Sequence, residues 1–318
     1  MRLGALLLGL LISTQQPKAA AADLSADAAL RDHLWSQLRA LPKEKRPRVG
    51  IAFSAGSLRA VSHVGVVYAL ENAGFPIDVV AGTSMGAIMG ALYAGGRPIR
   101  RLWQIASTIK VSSGSNLNTV SLLRLVLSDK LLSSRETEKF IRDEIGAQRI
   151  EDLPKPFACV AMDLTSGEAI IFRNGPLAPA VRASMNLPGI FEPVEYRHRY
   201  LVDGGVVAYI PVEAARLIGA EWLIASVTEP DYTRSKPETV LQALEQVIDI
   251  RGSLLARQQR KLADFVIEPA VGDIGMYESH RVGEAINKGV MASHKKIAEA
   301  QKSYVLFSMR SLLKEFAP

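Results

Sequence analysis

At 318 residues, with 48% hydrophobic and 22% charged content, the chain is long and apolar enough to bury a sizeable core, which excludes an intrinsically disordered protein. Its formal charge of +6 is a mild excess scattered along the chain. It offers no basic stripe for nucleic acid, although it would favour an anionic lipid surface. The single cysteine, Cys159, lies in an apolar run, reads as a core residue and excludes an internal disulfide.

Residues 1–22 run from Met1-Arg2 through an apolar stretch, Leu3 to Ile12, to Ala19-Ala20-Ala21-Ala22, the order of a secretory signal peptide. Ten or so apolar residues fall well short of the roughly 20 that span a bilayer. Cleavage after Ala20 to Ala22 would leave a periplasmic or secreted chain and, with Arg2 and Lys18 gone, a charge of about +4. No cysteine beside the alanines writes a lipoprotein anchor. Residues 23–47 read as an amphipathic helical arm, with Leu30, Leu34, Leu38 and Leu41 at helical spacing and Pro42 as its stop, leading into a solvated basic linker, Lys43 to Arg48.

From Arg48 onward the elements alternate. A strand is predicted at Val49 to Phe53, a helix at Leu58 to Asn72, a strand at Ile77 to Ala81 and a helix at Met85 to Ala94 closed by Gly95-Gly96. Short connections between such units predict a parallel sheet covered by helices. Further strands are expected at 157–162, 169–173, 200–202, 222–227 and 265–268. Pro211 and Gly219 bracket a helix, and 238–262 and 280–315 form a helical tail. Residues 97–150 break the alternation, and their apolar run at 120–127 reads as either a buried helix or a lid over a site.

Gly82-Thr83-Ser84-Met85-Gly86 matches G-x-S-x-G between a strand and a helix. A serine on such a turn is pushed out at the strand's carboxyl end, and the glycines let neighbouring segments approach; a glycine-rich packing turn with a chance serine is the plain alternative. The helix N-terminus beside Ser84 would stabilise a developing oxyanion. Asp203, followed by Gly204-Gly205, places a carboxylate at a strand end, where Asp-Gly also serves ordinary turns. The first strand-to-helix turn, Ala55-Gly56-Ser57-Leu58-Arg59-Ala60, is either an anion-binding loop or a common connection. Among the five histidines, His280 and His294 follow Asp203 in the order serine, acid, histidine. No H-E-x-x-H or Cys/His cluster suggests a metal, and no complete G-x-G-x-x-G or G-K-[ST] suggests a nucleotide.

Taken together, four ordered blocks resemble the patatin-like phospholipases over Arg48 to Ile218. They are Val49 to Ser54 with Arg59 and His63-Val64-Gly65-Val66; Ala81 to Ala87; Val181 to Met185 with Pro188-Gly189-Ile190-Phe191 and Pro193-Val194; and Val202 to Val206 with Pro211-Val212. The resemblance implies an α/β three-layer sandwich with a mostly parallel central sheet flanked by helices. Its catalytic core would be 48–218, with 219–318 completing the same domain. It implies a serine lipid acyl hydrolase without cofactor or metal, whose partners are a lipid ester and a membrane surface.

In that reading Ser84 is the nucleophile in an elbow made by Gly82 and Gly86, and Asp203 is the proton acceptor in a turn made by Gly204 and Gly205. Gly56, Ser57 and Arg59 form the oxyanion hole. The family's Gly-Gly-Gly-x-Arg-Gly loop departs here at three glycines, and a left-handed Ser57 would cost roughly 1 to 2 kcal/mol. Ala208-Tyr209 also stands where the family commonly has asparagines, and His63 matches a family position that reads as core packing. Two alternatives are a Ser-Asp-His triad using His280 or His294, and a lipid-binding or assembly protein whose catalysis has decayed.

Overall fold

The computed structural model describes residues 26–108, 133–233, 236–238, 240–276 and 278–316. The signal segment and the apolar run at 120–127 lie outside the described residues. Eight strands are described: β1 (Val49–Phe53), β2 (Ile77–Thr83), β3 (Phe157–Asp163), β4 (Ala169–Phe172), β5 (Val194–Tyr196), β6 (Arg199–Asp203), β7 (Trp222–Ser226) and β8 (Phe265–Ile267). They form one sheet in the order β5-β6-β3-β2-β1-β7-β8, with β4 also on β3. The five strands from β3 through β2, β1 and β7 to β8 are parallel, as the alternating pattern predicts, and β4, β5 and β6 pair antiparallel.

Helices cover both faces: α1 (Ala26–Ala40), α2 (Ser62–Asn72), α3 (Met85–Ala94), α4 (Ile99–Thr108), α5 (Arg135–Ile145), α6 (Leu177–Ser184), α7 (Val212–Leu217), α8 (Val240–Gln259), α9 (Val282–Phe307) and α10 (Met309–Phe316). Strand alternation divides the core between them. Val49, Ile51 and Phe53 of β1, Phe157 and Cys159 of β3, and Trp222 and Ile224 of β7 pack in one cluster with residues of α1 to α6 and α9. The intervening Ala52, Ala158, Leu223 and Ala225 pack with α7 and with Ala256 of α8. Small residues make this second face thin: a Cβ on Gly50 would lie 2.4 Å from Ala220 Cβ. The alternation explains why β1, β2 and β7 read as continuous apolar runs, since both faces are buried.

The amphipathic arm is α1, and it docks on the main core. Trp35 and Leu38 are buried while Leu30 is 58% exposed, and Trp35 meets Phe75 at 4.7 Å between ring centroids. The basic segment after it is more than a solvated linker. Arg46 forks onto Asp78 at 2.6 and 3.0 Å, and Asp78 also accepts the Val49 amide at 2.9 Å, so this charge locks the start of β1 beside β2. Cys159 is fully buried, and burial pushes its thiol pKa up, as suits an inert core residue.

Candidate active site

The site forms where β1 and β2 end. β2 runs out at Thr83, and Ser84 takes φ 57° and ψ −129° before α3 begins at Met85. Such a conformation is costly for a residue with a Cβ and is held by its surroundings. Gly86 permits it: a Cβ there would lie 2.4 Å from Ser54 O, so α3 starts directly against the end of β1. Gly82 is equally confined, with Gly86 O 2.3 Å from where its Cβ would stand.

Asp203 ends β6 beside this elbow. Along one edge of β3, Thr83 pairs with Val160 and Asp203 with Ala161, so β2 and the antiparallel β6 meet nearly end to end. Gly204 makes the meeting possible, because a Cβ there would sit 2.2 Å from Val160 O. Ser84 Oγ donates to Asp203 Oδ2 at 2.5 Å, and the Gly205 amide donates to Oδ1 at 2.7 Å. Both groups are buried, at 8% and 3% exposure. Burial pushes the Asp203 pKa up to about 6, opposed by the Ser84 and Gly205 hydrogen bonds. A carboxylate poised there is ionised at neutral pH and close to the ideal for taking and returning a proton.

A supporting shell of hydrogen bonds fixes both groups. Ser184, at the end of α6, accepts the Ser84 amide at 3.1 Å and donates to Val160 O at 2.6 Å, bridging elbow and strand. Asn186 O accepts the Asp203 amide at 2.9 Å, and Asn186 Nδ2 donates to Glu192 O at 2.7 Å. Thr83 Oγ1 donates to Ala208 O at 2.9 Å. Ser184 and Asn186 belong to a segment whose resemblance was visible in the sequence, but a hydroxyl bridging two distant backbones has no local signature.

The loop after β1 closes the site on its other side. Gly56 has φ 152°, and a Cβ would meet Thr228 Oγ1 at 2.2 Å. Ser57 is left-handed at φ 49°, the geometry anticipated for that position, and opens a 3₁₀ turn (Ser57–Val61) that leads into α2. Ala55 donates its amide to Tyr209 O at 2.8 Å, and a Cβ on Gly205 would lie 3.1 Å from Ala55 Cβ, so this loop and the acid turn are neighbours. Among the described residues, the amides of Gly56, Ser57, Met85 and Gly86 donate to no protein group. Free N–H groups thus stand at the start of α3, next to Ser84, and in the loop after β1, whose Ser54 lies against Gly86.

Arg59 departs from its expected place in the oxyanion hole. Its amide donates to Gly56 O at 3.0 Å, and its guanidinium reaches Asp249 Oδ1 at 2.8 Å and Ile274 O at 3.3 Å. The negative charge of half-buried Asp249 draws the Arg59 side chain into an ion pair, so Arg59 anchors the loop.

The histidines fall outside the serine–acid contact. Both Asp203 oxygens are taken by Ser84 and Gly205, and His280 and His294 are exposed. His63 is buried between Ser226 Oγ at 2.7 Å and Ser54 O at 3.1 Å and stacks on Phe53 with centroids 4.9 Å apart. Burial pushes its pKa down to about 4, and it is a packed core group.

Residues 51–216, just over half of the chain, match the family described as patatin-like phospholipase. An uncharacterized NTE family protein of Mycobacterium tuberculosis is 36% identical over 183 residues, which are 56% of this chain and 48% of that protein. Patatin-like phospholipase domain-containing protein 6 of Homo sapiens is 35% identical over 182 residues, covering 56% of this chain and 13% of its own length. The chain thus spans about half or less of the curated relatives it matches. Among solved structures, VipD from Legionella pneumophila shares the fold, with a TM-score of 0.51 at 12% identity over 81% of this chain and 67% of that one. The chain belongs to the patatin-like phospholipase family.

Proposed function

We propose that the protein is a serine hydrolase of lipid carboxylic esters that works through a Ser84–Asp203 dyad and an acyl-enzyme on Ser84. The observation that carries this reading is the 2.5 Å hydrogen bond from a strained elbow serine to a buried, ionisable carboxylate. Asp203 accepts the Ser84 proton as Oγ attacks the ester carbonyl. The tetrahedral oxyanion is met by the free amides of Gly56 and Ser57, with the N-terminus of α3 adding its positive dipole end. As the carbon–oxygen bond of the ester breaks, Asp203 returns the proton to the departing alcohol. Water, deprotonated by the same carboxylate, then releases the fatty acid and regenerates Ser84.

The lipid class of the substrate is proposed from family membership and from relatives such as Lysophospholipase NTE1 of Debaryomyces hansenii, 33% identical over 182 residues. The left-handed Ser57 supports a working loop over a decayed one, because serine adopts here the backbone that the missing glycine would have supplied freely. The test is labelling of the protein with a fluorophosphonate together with hydrolysis of lysophospholipid, phospholipid and short-chain activated esters by wild type and Ser84→Ala. Labelling and turnover that vanish in the variant are expected; turnover that survives it would remove Ser84 as nucleophile. Lipid binding with no turnover of any ester would instead favour the decayed-protein reading.

A further inference from the structure

Helix α8 grips both sides of the candidate site. Asp249, near its middle, accepts from Arg59 at 2.8 Å, and Arg59 closes the 3₁₀ turn that follows the free amides of Gly56 and Ser57. The Arg59 side chain is 6% exposed, so its charge has little water to turn to. Farther along the same helix, Arg251 Nε donates to Val206 O at 3.2 Å, and Gln259 donates to Val207 O at 3.3 Å while accepting the Ile210 amide at 2.9 Å. Between them, Gly252 lets the helix approach Tyr209 so closely that a Cβ would lie 2.5 Å from the ring. Tyr209 in turn holds the Ala55 amide. One helix therefore reaches the loop after β1 through the Arg59–Asp249 ion pair and the acid turn through the Arg251 and Gln259 side chains on its backbone.

The pair is buried on the Arg59 side and half-buried at Asp249, whose side chain is 29% exposed; desolvation of the guanidinium offsets much of the attraction, so directional geometry is what the pair supplies. We propose that Asp249 is a positioning residue for ester hydrolysis: acting through Arg59, it sets the place of the Gly56–Ser57 amides relative to Ser84 and Asp203. The catalytic consequence rests on the hydrolase reading above, whereas the positioning itself does not. A displacement of about 1 Å in such a loop costs on the order of 100-fold in rate.

The experiment compares full-length wild type, Asp249→Ala and Asp249→Glu by ester hydrolysis and by hydrogen exchange. In Asp249→Ala, kcat is expected to fall about 10- to 100-fold with KM within about twofold, because a misplaced donor is felt in the transition state. The hydrogen-bonded amides of residues 55–61, those of Ala55 and Arg59 among them, should exchange at least tenfold faster while those of β3 keep their rates, and Asp249→Glu should recover part of both losses. Unchanged exchange at the Ala55 and Arg59 amides, or an unchanged kcat, would overturn the proposal. If wild type hydrolyses no ester, the hydrolase reading falls, and the exchange experiment still decides whether Asp249 positions the loop. Should Asp249→Ala fail to fold, Asp249→Asn, which keeps an acceptor and removes the charge, is read by the same two measurements.

Discussion

Ser84 and Asp203 lie 119 residues apart in sequence and 2.5 Å apart in space because one strand serves both as a ruler. Val160 of β3 pairs with the last residue of β2, and Ala161, the next, pairs with the last residue of β6. The places of Ser84 and Asp203 are therefore set by strand register, which cannot slip by one residue without turning each side chain to the opposite face.

The pH dependence of hydrolysis follows from Asp203. As a base it must be ionised, and with a pKa of about 6 its active form dominates above that value. The rate constant kcat/KM is expected to fall about tenfold per pH unit below roughly pH 6 and to level off above it. A profile that stays flat from pH 7 down to pH 4.5 would show that another group accepts the proton.

The same residue should weaken the fold. Its folded-state pKa is raised above the ordinary 3.8, so the native protein binds more protons than the unfolded chain between about pH 4 and 6. The stability contribution of Asp203 therefore declines as pH rises through that window, and the penalty is complete above it. Asp203→Asn should abolish hydrolysis yet stabilise the protein at pH 8 by up to about 3 kcal/mol, with the gain shrinking as pH falls toward 4. Denaturant unfolding of both proteins at pH 8, 6 and 4.5 checks the sign.

His63 opposes Asp203 in nearly the same window. Its folded pKa is depressed to about 4, so the unfolded chain binds the extra proton and stability from this group is lost as pH falls from 6.5 toward 4. The imidazole should stay neutral through pH 5, which its side-chain NMR chemical shifts will report. A ring that protonates near pH 6.5 would mean that the Ser226 and Ser54 contacts do not hold it in the core.

Ser184→Ala removes the bridge between elbow and strand. It leaves the Ser84 amide and Val160 O without their buried partner, which costs about 1 to 3 kcal/mol, and it frees the backbone that aims Oγ. A drop in kcat of tenfold or more is expected, with Ser184→Thr retaining more activity than alanine. Equal activity of all three proteins would show that sheet and helix packing alone orient Ser84.

Ser57→Gly addresses the altered loop directly. A serine at φ 49° carries roughly 1 to 2 kcal/mol of backbone strain that glycine lacks, partly offset by the greater freedom of glycine in the unfolded chain. The variant should unfold at equal or higher denaturant concentration, and its hydrolysis should stay within a few-fold of wild type because the donor is an amide in both. A rise in turnover of tenfold or more would mean that serine holds that amide off target.

Local chemistry made much of this protein legible from its residues alone. The strands that bury both faces, the glycines around Ser84 and the Asp203-Gly204-Gly205 turn each impose their conformation within a few positions, so α3 runs over Met85–Ala94 as the pattern predicts. Element ends were less legible where tertiary contacts override propensity: the helix expected from Leu58 begins as a 3₁₀ turn, and the short strand β5 forms because β6 offers it an edge. Arg59 shows the limit most plainly. Its position in the turn after β1 is readable, but its partner lies 190 residues away on α8, and no local spacing couples the two. Glycine sterics, readable residue by residue, dictate which backbone turns carry the serine and the carboxylate at strand ends. That the two meet, how deeply they are buried and which distant charge holds the facing loop depend on the folded assembly, because desolvation and pairing exist only once the sheet and its helices have closed around them.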